Sequence, residues 1–281
     1  EIDACLVGSE MFIRDSIKMS SILITGATAG IGKSIAYSLA KRGYNLVLTG
    51  RRLGRLKEIS EDISALHAVE VKVLANDLTK KEAPQQIKDF CTENNLDIEM
   101  LVLNAGYQHS QKLEDVSLED EEDCLRVLAI SVIMIFKVFL KDLLKRGGGK
   151  LMVVSSVAAF APPSTAIAPL YGPIKTFMNR FVDTVNAGYN KNNIYATSLC
   201  PGFTVTEFHA VSGTQDRMNK VPSFFKMSSD FVAEEGVKGM LKNKELVIPG
   251  KHYWFLVNIL KFFPLSIIKF IGNKISGDRF K

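Results

Sequence analysis

The sequence predicts one α/β domain that is built on a doubly wound parallel sheet. Short apolar runs alternate with longer helical patterns from residue 19 to about residue 250. The apolar runs are continuous, which is typical of strands that are buried on both faces of a sheet. Strands and helices in alternation connect through right-handed crossovers, so that helices cover both faces. These observations favour a single Rossmann-like domain.

Seven segments are predicted as strands. In chain order they are SILIT, YNLVLT, VEVKVL, EMLVL, KLMVV, NIYATSL and ELVIP, and helical segments such as GKSIAYSLAKRG and RLKEISEDISALH lie between them. Another helix is predicted to begin near Leu170, because Pro173 is tolerated in a first helical turn. The buried stripe of that helix is predicted to contain Phe177, Phe181, Val182 and Val185.

Composition and charge exclude several classes of protein. The chain has 281 residues, of which 47% are hydrophobic, so it can bury a sizeable core and is not disordered. Its net charge is +5 without runs of Lys or Arg, which argues against a nucleic-acid partner. The cysteines lie far apart and have no metal-ligand spacing with the histidines; they are Cys5, Cys91, Cys124 and Cys200. We therefore expect reduced thiols, a cytoplasmic protein and no metal.

The first residues differ in character from the rest of the chain. Residues 6–16 resemble the translation of a transposase adapter used for sequencing libraries, except that Phe12 stands where the adapter encodes Cys. We therefore predict that residues 1–18 are a non-native leader and that the native protein starts at Met19. A native but disordered N-terminal tail is the alternative. The predicted domain covers residues 19–250.

The last residues form a basic, apolar tail. Residues 251–281 contain six basic residues and one acidic residue, Asp278, together with one tryptophan and several phenylalanines. Lys261, Pro264 and Lys269 interrupt the apolar stretch, which argues against a membrane-spanning helix. Two interpretations remain: interfacial helices on anionic lipid, or packing on the domain itself or on a dimer mate.

A glycine-rich turn follows the first predicted strand. The segment TGATAGIGKS places Gly26, Gly30 and Gly32 between that strand and a helix. Glycines there let the backbone approach a phosphate closely, and the N–H groups at the helix start face the phosphate. The alternative is a tight turn with only a structural role.

The segment LYGPIK places a tyrosine and a lysine four residues apart at the predicted helix start. Residues at this spacing share one helix face, so Tyr171 and Lys175 should point in the same direction. A neighbouring ammonium favours the phenolate and is expected to lower the pKa of the tyrosine toward the working range of an acid catalyst. An incidental polar pair is the alternative.

Several ordered motifs together resemble the short-chain dehydrogenase/reductase family. They are TGATAGIG, LNAG, VVSS, YGPIK and PGFTVT, and the resemblance extends from residue 20 to about residue 249. The segment CPGFTVTEFH, the later VIPG and the tail look most like the DltE-type branch of the family. The resemblance implies an oxidoreductase that binds a nicotinamide cofactor and assembles as a homo-oligomer.

The resemblance also implies the roles of individual residues. Ser156 would hydrogen-bond the substrate oxygen, Tyr171 would pass the proton, and Lys175 would hold the cofactor ribose and tune the tyrosine; Ser155 is the alternative to Ser156. The cofactor-binding residues that it implies, besides Tyr171 and Lys175, are Gly26, Thr28, Gly30, Ile31, Gly32, Asp77, Asn104, Ala105, Gly106, Pro201, Gly202, Thr204 and Thr206.

The end of the second strand indicates which cofactor is used. Arg51 and Arg52 stand where an acidic residue would bind the ribose 2′-hydroxyl of NAD. Guanidinium groups suit the 2′-phosphate of NADP instead. The sequence therefore predicts NADP. The alternative is that these arginines are solvated surface residues at a helix start.

Two features depart from the family pattern. The interval from Ser156 to Tyr171 is two residues longer than expected, and it contains three prolines. In addition, the family has an asparagine of its proton relay where Leu128 stands, and the relay can also run through a main-chain carbonyl. We expect the carbonyl to serve, with neighbours such as Ser131 shaping the path.

The predicted function is transfer of a hydride between NADP and a small carbonyl or alcohol substrate. One interpretation of Phe208, Phe224, Phe225 and Met227 is an apolar lid over the site, and the substrate is then expected to be apolar. The other interpretation is that these side chains pack on the core. The alternative function is a non-catalytic nucleotide-binding protein that uses its tail to bind a membrane or a partner.

Overall fold

A parallel sheet of seven strands organises the protein. The computed structural model describes residues 19–161 and 169–262. In chain order, the strands of both sheets are β1 (Met19–Thr25), β2 (Asn45–Gly50), β3 (Val71–Ala75), β4 (Leu96–Leu103), β5 (Gly149–Val154), β6 (Ile194–Leu199), β7 (Thr204–Val205), β8 (Met227–Ser228) and β9 (Leu246–Val247). The central sheet has the order β3-β2-β1-β4-β5-β6-β9, and β7 pairs separately with β8. All of these pairs are parallel.

Helices cover both faces of the sheet. They are α1 (Gly30–Ala40), α2 (Leu53–Leu66), α3 (Ala83–Glu93), α4 (Leu118–Leu125), α5 (Ser131–Arg146), α6 (Tyr171–Tyr189), α7 (Phe208–Val211), α8 (Gln215–Lys220), α9 (Ser229–Leu241) and α10 (Lys251–Phe262). One core contains apolar residues of α3, α5 and α6, and the other contains those of α1, α2 and α9. The prediction of a doubly wound α/β domain is therefore confirmed.

The order of the strands places a binding crevice at the centre of the sheet. The chain first winds from β1 outward through β2 to β3, and then returns to place β4 on the other side of β1. The loops after β1 and β4 therefore diverge at the carboxyl edge, which is where open α/β sheets bind ligands. The glycine-rich turn and the LNAG motif are these two loops.

The helix α6 begins at Tyr171, as its sequence predicted, but its buried stripe differs from the prediction at one position. Phe177 is 51% exposed, so its assignment to the core was wrong. A stripe must follow steps of three and four residues, and Phe177 lies one position away from it. The fully packed positions are Ile174, Met178, Val182 and Val185.

The two ends of the chain are described only in part. The predicted leader over residues 1–18 and the adapter-like segment lie outside the described residues. Residues 251–262 form α10, whose Tyr253 and Val257 are buried against the domain, while the remainder of the tail is not described. Among the helices of residues 19–161 and 169–262, none is long and apolar enough to cross a bilayer.

Candidate active site

The glycine-rich turn after β1 is held by the loop after β4. Gly26 and Gly30 have φ angles of +67° and +55°, which non-glycine residues rarely adopt. The Asn104 side-chain amide donates to the carbonyls of Thr25, at 3.1 Å, and Gly26, at 3.0 Å. A Cβ on Gly32 would lie only 2.3 Å from the Gly26 oxygen. Glycine is therefore required at these positions, and the turn keeps its backbone open toward the crevice.

The rest of the LNAG motif completes this clamp. The backbone N–H of Ala105 donates to Thr25 Oγ1 at 3.2 Å, and the N–H of Asn104 donates to the same oxygen at 3.0 Å. Gly106 faces Leu128, because a Cβ there would lie 2.8 Å from Leu128 Cδ2. The Asn104 amide thus holds the turn.

The three predicted catalytic side chains lie together at the carboxyl edge. The Ser156 side chain lies near enough to Tyr171 to lower its pKa as a hydrogen-bonding neighbour, and the Ser156 hydroxyl accepts from the N–H of Ala158 at 3.1 Å. Lys175 Nζ donates to the carbonyl of Val154 at 2.8 Å and lies 5.4 Å from the centroid of the Tyr171 ring. The strand end of β5 therefore positions the serine and the lysine, and the first turn of α6 presents the tyrosine.

The neighbouring Ser155 has a different position. Its hydroxyl donates to the Lys175 carbonyl at 3.1 Å, and the residue is 2% exposed. Consecutive strand residues point to opposite sides, so only one of the two serines can face Tyr171. The geometry therefore favours Ser156 over Ser155.

Burial dominates the protonation of the tyrosine and the lysine. It raises the pKa of Tyr171 to about 12, although the hydrogen bond from Ser156 acts in the opposite direction. It also lowers the pKa of Lys175 from 10.5 to about 8. The predicted lowering of the Tyr171 pKa by Lys175 is therefore not found, because loss of solvation is the largest influence on the phenol.

Two buried thiols flank these groups, and the sequence analysis did not connect them with the site. Cys200 Sγ lies 3.5 Å from Asn179 Oδ1, and Cys124 Sγ lies 3.8 Å from the Tyr107 carbonyl. Burial raises the pKa of each thiol to about 11. Both cysteines are free and neutral at pH 7, so they are poor nucleophiles.

The second strand contributes arginine to the same crevice. Arg52 donates to Thr28 Oγ1 at 3.0 Å, which places its guanidinium against the glycine-rich turn. Arg51 is exposed, and its charge acts to lower the pKa of Tyr107, which burial raises to about 12. Asp77, after β3, accepts from the N–H of Thr79 at 3.1 Å. The predicted residues that follow β1, β2 and β3 therefore lie along one edge of three neighbouring strands.

The segment after β6 closes over the first turn. Thr206 lies above Gly30, where an added Cβ would be 3.0 Å from the threonine side chain. Thr204 is only 5% exposed, and its hydroxyl donates to the Gly202 carbonyl at 3.0 Å. Pro201 accepts from the N–H of Val157 at 3.0 Å. Thr206 therefore faces the crevice, whereas Thr204 stabilises the loop.

The four apolar residues expected near the substrate have three different surroundings. The Phe208 ring lies 6.0 Å from the Tyr171 ring, so it borders the site. Met227 is 6% exposed and belongs to the core. Phe224 and Phe225 pack against His252 of α10, with Phe224 70% exposed.

Leu128 occupies a π-helical turn that sequence patterns did not reveal. The turn spans Arg126–Ile130, and the N–H of Ser131 bonds to the carbonyl of Arg126, five residues earlier. The Val127 carbonyl, left without this N–H, accepts instead from the Ser131 hydroxyl at 2.8 Å. The helix is therefore opened beside the site even though leucine replaces the expected asparagine.

Polar groups also lie near the tyrosine. A cavity of about 10 Å³, large enough for one water, borders Tyr171. Its lining includes Gln108, His109 and Glu121, none of which the sequence analysis named. The substrate side of the site is thus mixed rather than wholly apolar. Within residues 19–161 and 169–262, no three potential metal ligands come together.

These features define an α/β protein in which serine, tyrosine and lysine meet at the carboxyl edge of the sheet that also carries a glycine-rich turn. The model of the short chain dehydrogenase family matches residues 20–217. The chain belongs to this family and is an oxidoreductase of the kind that uses a nicotinamide cofactor.

Individual relatives are similar at moderate identity. A very-long-chain 3-oxoacyl-CoA reductase of Rattus norvegicus is 25% identical over 83% of this chain and 72% of its own length. Sulfoacetaldehyde reductase 2 of Chromohalobacter salexigens is 32% identical over 68% of this chain and 75% of its own length. A short-chain dehydrogenase from Sphingobium yanoikuyae, solved in complex with NADPH, has a similar structure, with a TM-score of 0.77 and 25% sequence identity. The match covers 86% of this chain and 93% of that enzyme's chain. Placement in the DltE-type branch stays a prediction.

Proposed function

We propose that the protein transfers a hydride between NADP and a carbonyl or alcohol substrate, with Tyr171 as the proton donor and acceptor. The observation that carries this proposal is the placement of Ser156 and the buried Lys175 beside Tyr171, with Lys175 Nζ 5.4 Å from the centroid of the ring. These groups follow β5, the strand beside β4, at the same carboxyl edge as a turn whose glycines leave no room for side chains. The turn fits a dinucleotide for the same reason.

Each side chain then has a distinct task. The bound nicotinamide supplies or accepts the hydride. The Ser156 hydroxyl donates a hydrogen bond to the substrate oxygen, and Tyr171 gives that oxygen a proton during reduction. Lys175, whose pKa is about 8, carries its positive charge at neutral pH and stabilises the phenolate that remains. The same ammonium is placed to hold the ribose hydroxyls of the cofactor.

The proposal of NADP rests on the arginines at the end of β2. Arg52 lies against Thr28, and Arg51 is adjacent in the chain. Two guanidinium groups can bind a 2′-phosphate through charge-assisted hydrogen bonds, whereas the 2′-hydroxyl of NAD needs an acceptor. The NADPH complex of the similar Sphingobium yanoikuyae enzyme supports this assignment.

Substitution of the tyrosine tests the reaction. We expect Tyr171→Phe to abolish oxidation of NADPH by a panel of ketones and aldehydes, while the affinity for NADPH stays within a few-fold because the ring remains. Tyr195→Phe, at the opposite edge of the sheet, is the matched control and should keep full activity. Retained turnover in Tyr171→Phe would refute the assignment.

The alternative function is a nucleotide-binding protein without catalysis. The observation in its favour is Leu128, which is 2% exposed where the family has an asparagine. Under this alternative, the wild-type protein would bind NADPH but would oxidise it with none of the substrates in the panel. The contact between Ser156 and Tyr171 has no evident purpose in such a protein, so we favour the enzyme.

We also propose that residues 251–281 contact anionic lipid, and that the protein forms a homo-oligomer. Trp254, Phe255 and Leu256 are consecutive in α10 and are 57%, 61% and 45% exposed. Residues 251–262 contain two lysines and no acidic residue. Exposed aromatic side chains with positive charge suit the interface of an anionic membrane.

The single tryptophan of the chain reports on this surface. We expect its fluorescence to shift to the blue with phosphatidylglycerol vesicles but not with phosphatidylcholine alone. Phe255→Ser should weaken the shift, whereas Phe177→Ser, an exposed phenylalanine of α6, should not. An emission that is already blue-shifted without lipid, and does not change on adding it, would mean that the chain or a mate covers the surface. Sedimentation equilibrium measures the oligomeric state directly.

A further inference from the structure

A carboxylate already pairs with two arginines that follow β2, one before α2 and one in its first turn. Glu207 Oε2 lies 3.0 Å from Arg52 Nη2, and Glu207 Oε1 lies 3.7 Å from Arg55 Nη2. Glu207 directly precedes α7, and it is 155 positions from Arg52 in the chain. The two ion pairs therefore tie the segment after β6 to the β2 side of the crevice.

The same arginine also touches the glycine-rich turn. Arg52 donates to Thr28 Oγ1 at 3.0 Å, so its guanidinium bridges the turn and Glu207. Thr206, the residue before Glu207, lies above Gly30 of that turn. The carboxylate thus sits in the cleft where the arginines would receive a phosphate.

A carboxylate and a phosphate cannot share these donors without repulsion. A phosphate monoester carries between one and two negative charges at neutral pH, and Glu207 adds another. Like charges separated by a few ångströms oppose each other, and both anions need the same guanidinium N–H groups. NADP binding at this cleft must therefore displace Glu207 or bind beside it at a cost in affinity.

We propose that Glu207 competes with the 2′-phosphate of NADP for Arg52 and Arg55 and thereby sets the preference between NADP and NAD. This inference rests on the proposed use of NADP. It assigns a role to Arg55, which the sequence analysis did not name. NAD has no 2′-phosphate, so it leaves the ion pairs of Glu207 intact.

The competition also links the cofactor to the substrate side. Phe208 follows Glu207 and lies against the ring of Tyr171. When the phosphate takes the arginines, Glu207 loses its partners and α7 is released from the β2 side. All three charged side chains are about half exposed, so solvent can take over the freed carboxylate.

The test is the affinity of the full chain for NADPH and NADH, measured by nicotinamide fluorescence. We expect Glu207→Gln to tighten NADPH binding by about three- to tenfold and to change NADH binding less than about twofold. The gain should shrink as salt increases, because exposed charges are screened. Glu58→Gln is the matched control. It removes the other carboxylate near Arg55, at 3.4 Å, which lies on α2 rather than on the segment after β6, and it should have little effect.

Two outcomes overturn the proposal, and a third separates it from the NADP assignment. If Glu207→Gln weakens NADPH binding or changes both cofactors equally, Glu207 does not compete with the phosphate. If Arg52→Ala selectively weakens NADPH binding but Glu207→Gln changes neither cofactor, NADP use stands and the competition is refuted. If the wild type does not prefer NADPH and Arg52→Ala weakens both cofactors equally, the NADP assignment fails and the competition fails with it.

Discussion

Replacing Leu128 by asparagine tests whether the side chain at this position limits catalysis. The leucine is 2% exposed and lies beside Gly106 in the π-helical turn. Truncation to alanine should lower the free energy of unfolding by about 2–4 kcal/mol. Asparagine should cost about 1–3 kcal/mol more if its amide finds no partner. Each kilocalorie lowers Tm by about 2–4 °C in a protein of this size, so both variants should be assayed well below their transitions.

The effect on turnover should be small. The turn is already open with leucine present, because Ser131 bonds to Arg126 and its hydroxyl satisfies the Val127 carbonyl. If the proton path uses the main chain, Leu128→Asn should change kcat by less than about tenfold, or roughly 1.4 kcal/mol in the barrier. The assay is steady-state NADPH oxidation at saturating substrate, with Leu128→Ala as the control for lost volume.

A large gain would contradict this reasoning. If Leu128→Asn raised kcat by about a hundredfold over both the wild type and Leu128→Ala, the amide itself would be the missing part of the relay. The natural protein would then be an enzyme with weakened catalysis, and the alternative of a nucleotide-binding protein would gain support.

Two further predictions concern stability. Gly202→Ala places a Cβ within 2.4 Å of the Tyr253 ring, so the ring must move and break the hydrogen bonds of its hydroxyl to Phe203 and Phe225. The free energy of unfolding in urea should fall by about 1–3 kcal/mol. An unchanged unfolding midpoint would contradict the contact. Burial lowers the pKa of Lys175 from 10.5 to about 8. Between these two pH values the unfolded chain therefore binds more protons than the folded chain, and the free energy of unfolding should rise with pH, by up to about 1.4 kcal/mol per pH unit. Lys175→Met should remove that rise, and an equal pH slope in both proteins would argue against the buried ammonium.

The parts of the site that follow strands could be predicted from sequence. The turn at Gly26, the motif at Asn104 and the pair of Tyr171 and Lys175 each join a strand end or helix start to a local pattern, and parallel strands bring such ends to one edge. The sheet then fixes their proximity without any knowledge of individual contacts. This is why both the fold and the meeting of Ser156 with Tyr171 agree with expectation.

The parts that depend on tertiary packing could not be predicted. The ion pair of Arg52 with Glu207 joins residues far apart in sequence, and neither residue has a local signal for the other. The raised pKa of Tyr171 reflects burial by the whole domain, which the spacing of Tyr171 and Lys175 in the sequence does not reveal. The π-helical turn at Leu128 also has no apolar period of its own that would distinguish it from an α-helix.

The amide of Asn104 makes the glycine-rich turn a part of the central sheet rather than an appended loop. Its two hydrogen bonds, with those to Thr25 Oγ1, join the end of β4 to the end of β1. The cleft is therefore assembled when the two strands pair, before any cofactor arrives, and little ordering of this turn remains to oppose binding. A protein with this construction should lose cofactor binding and sheet structure in a single transition on heating.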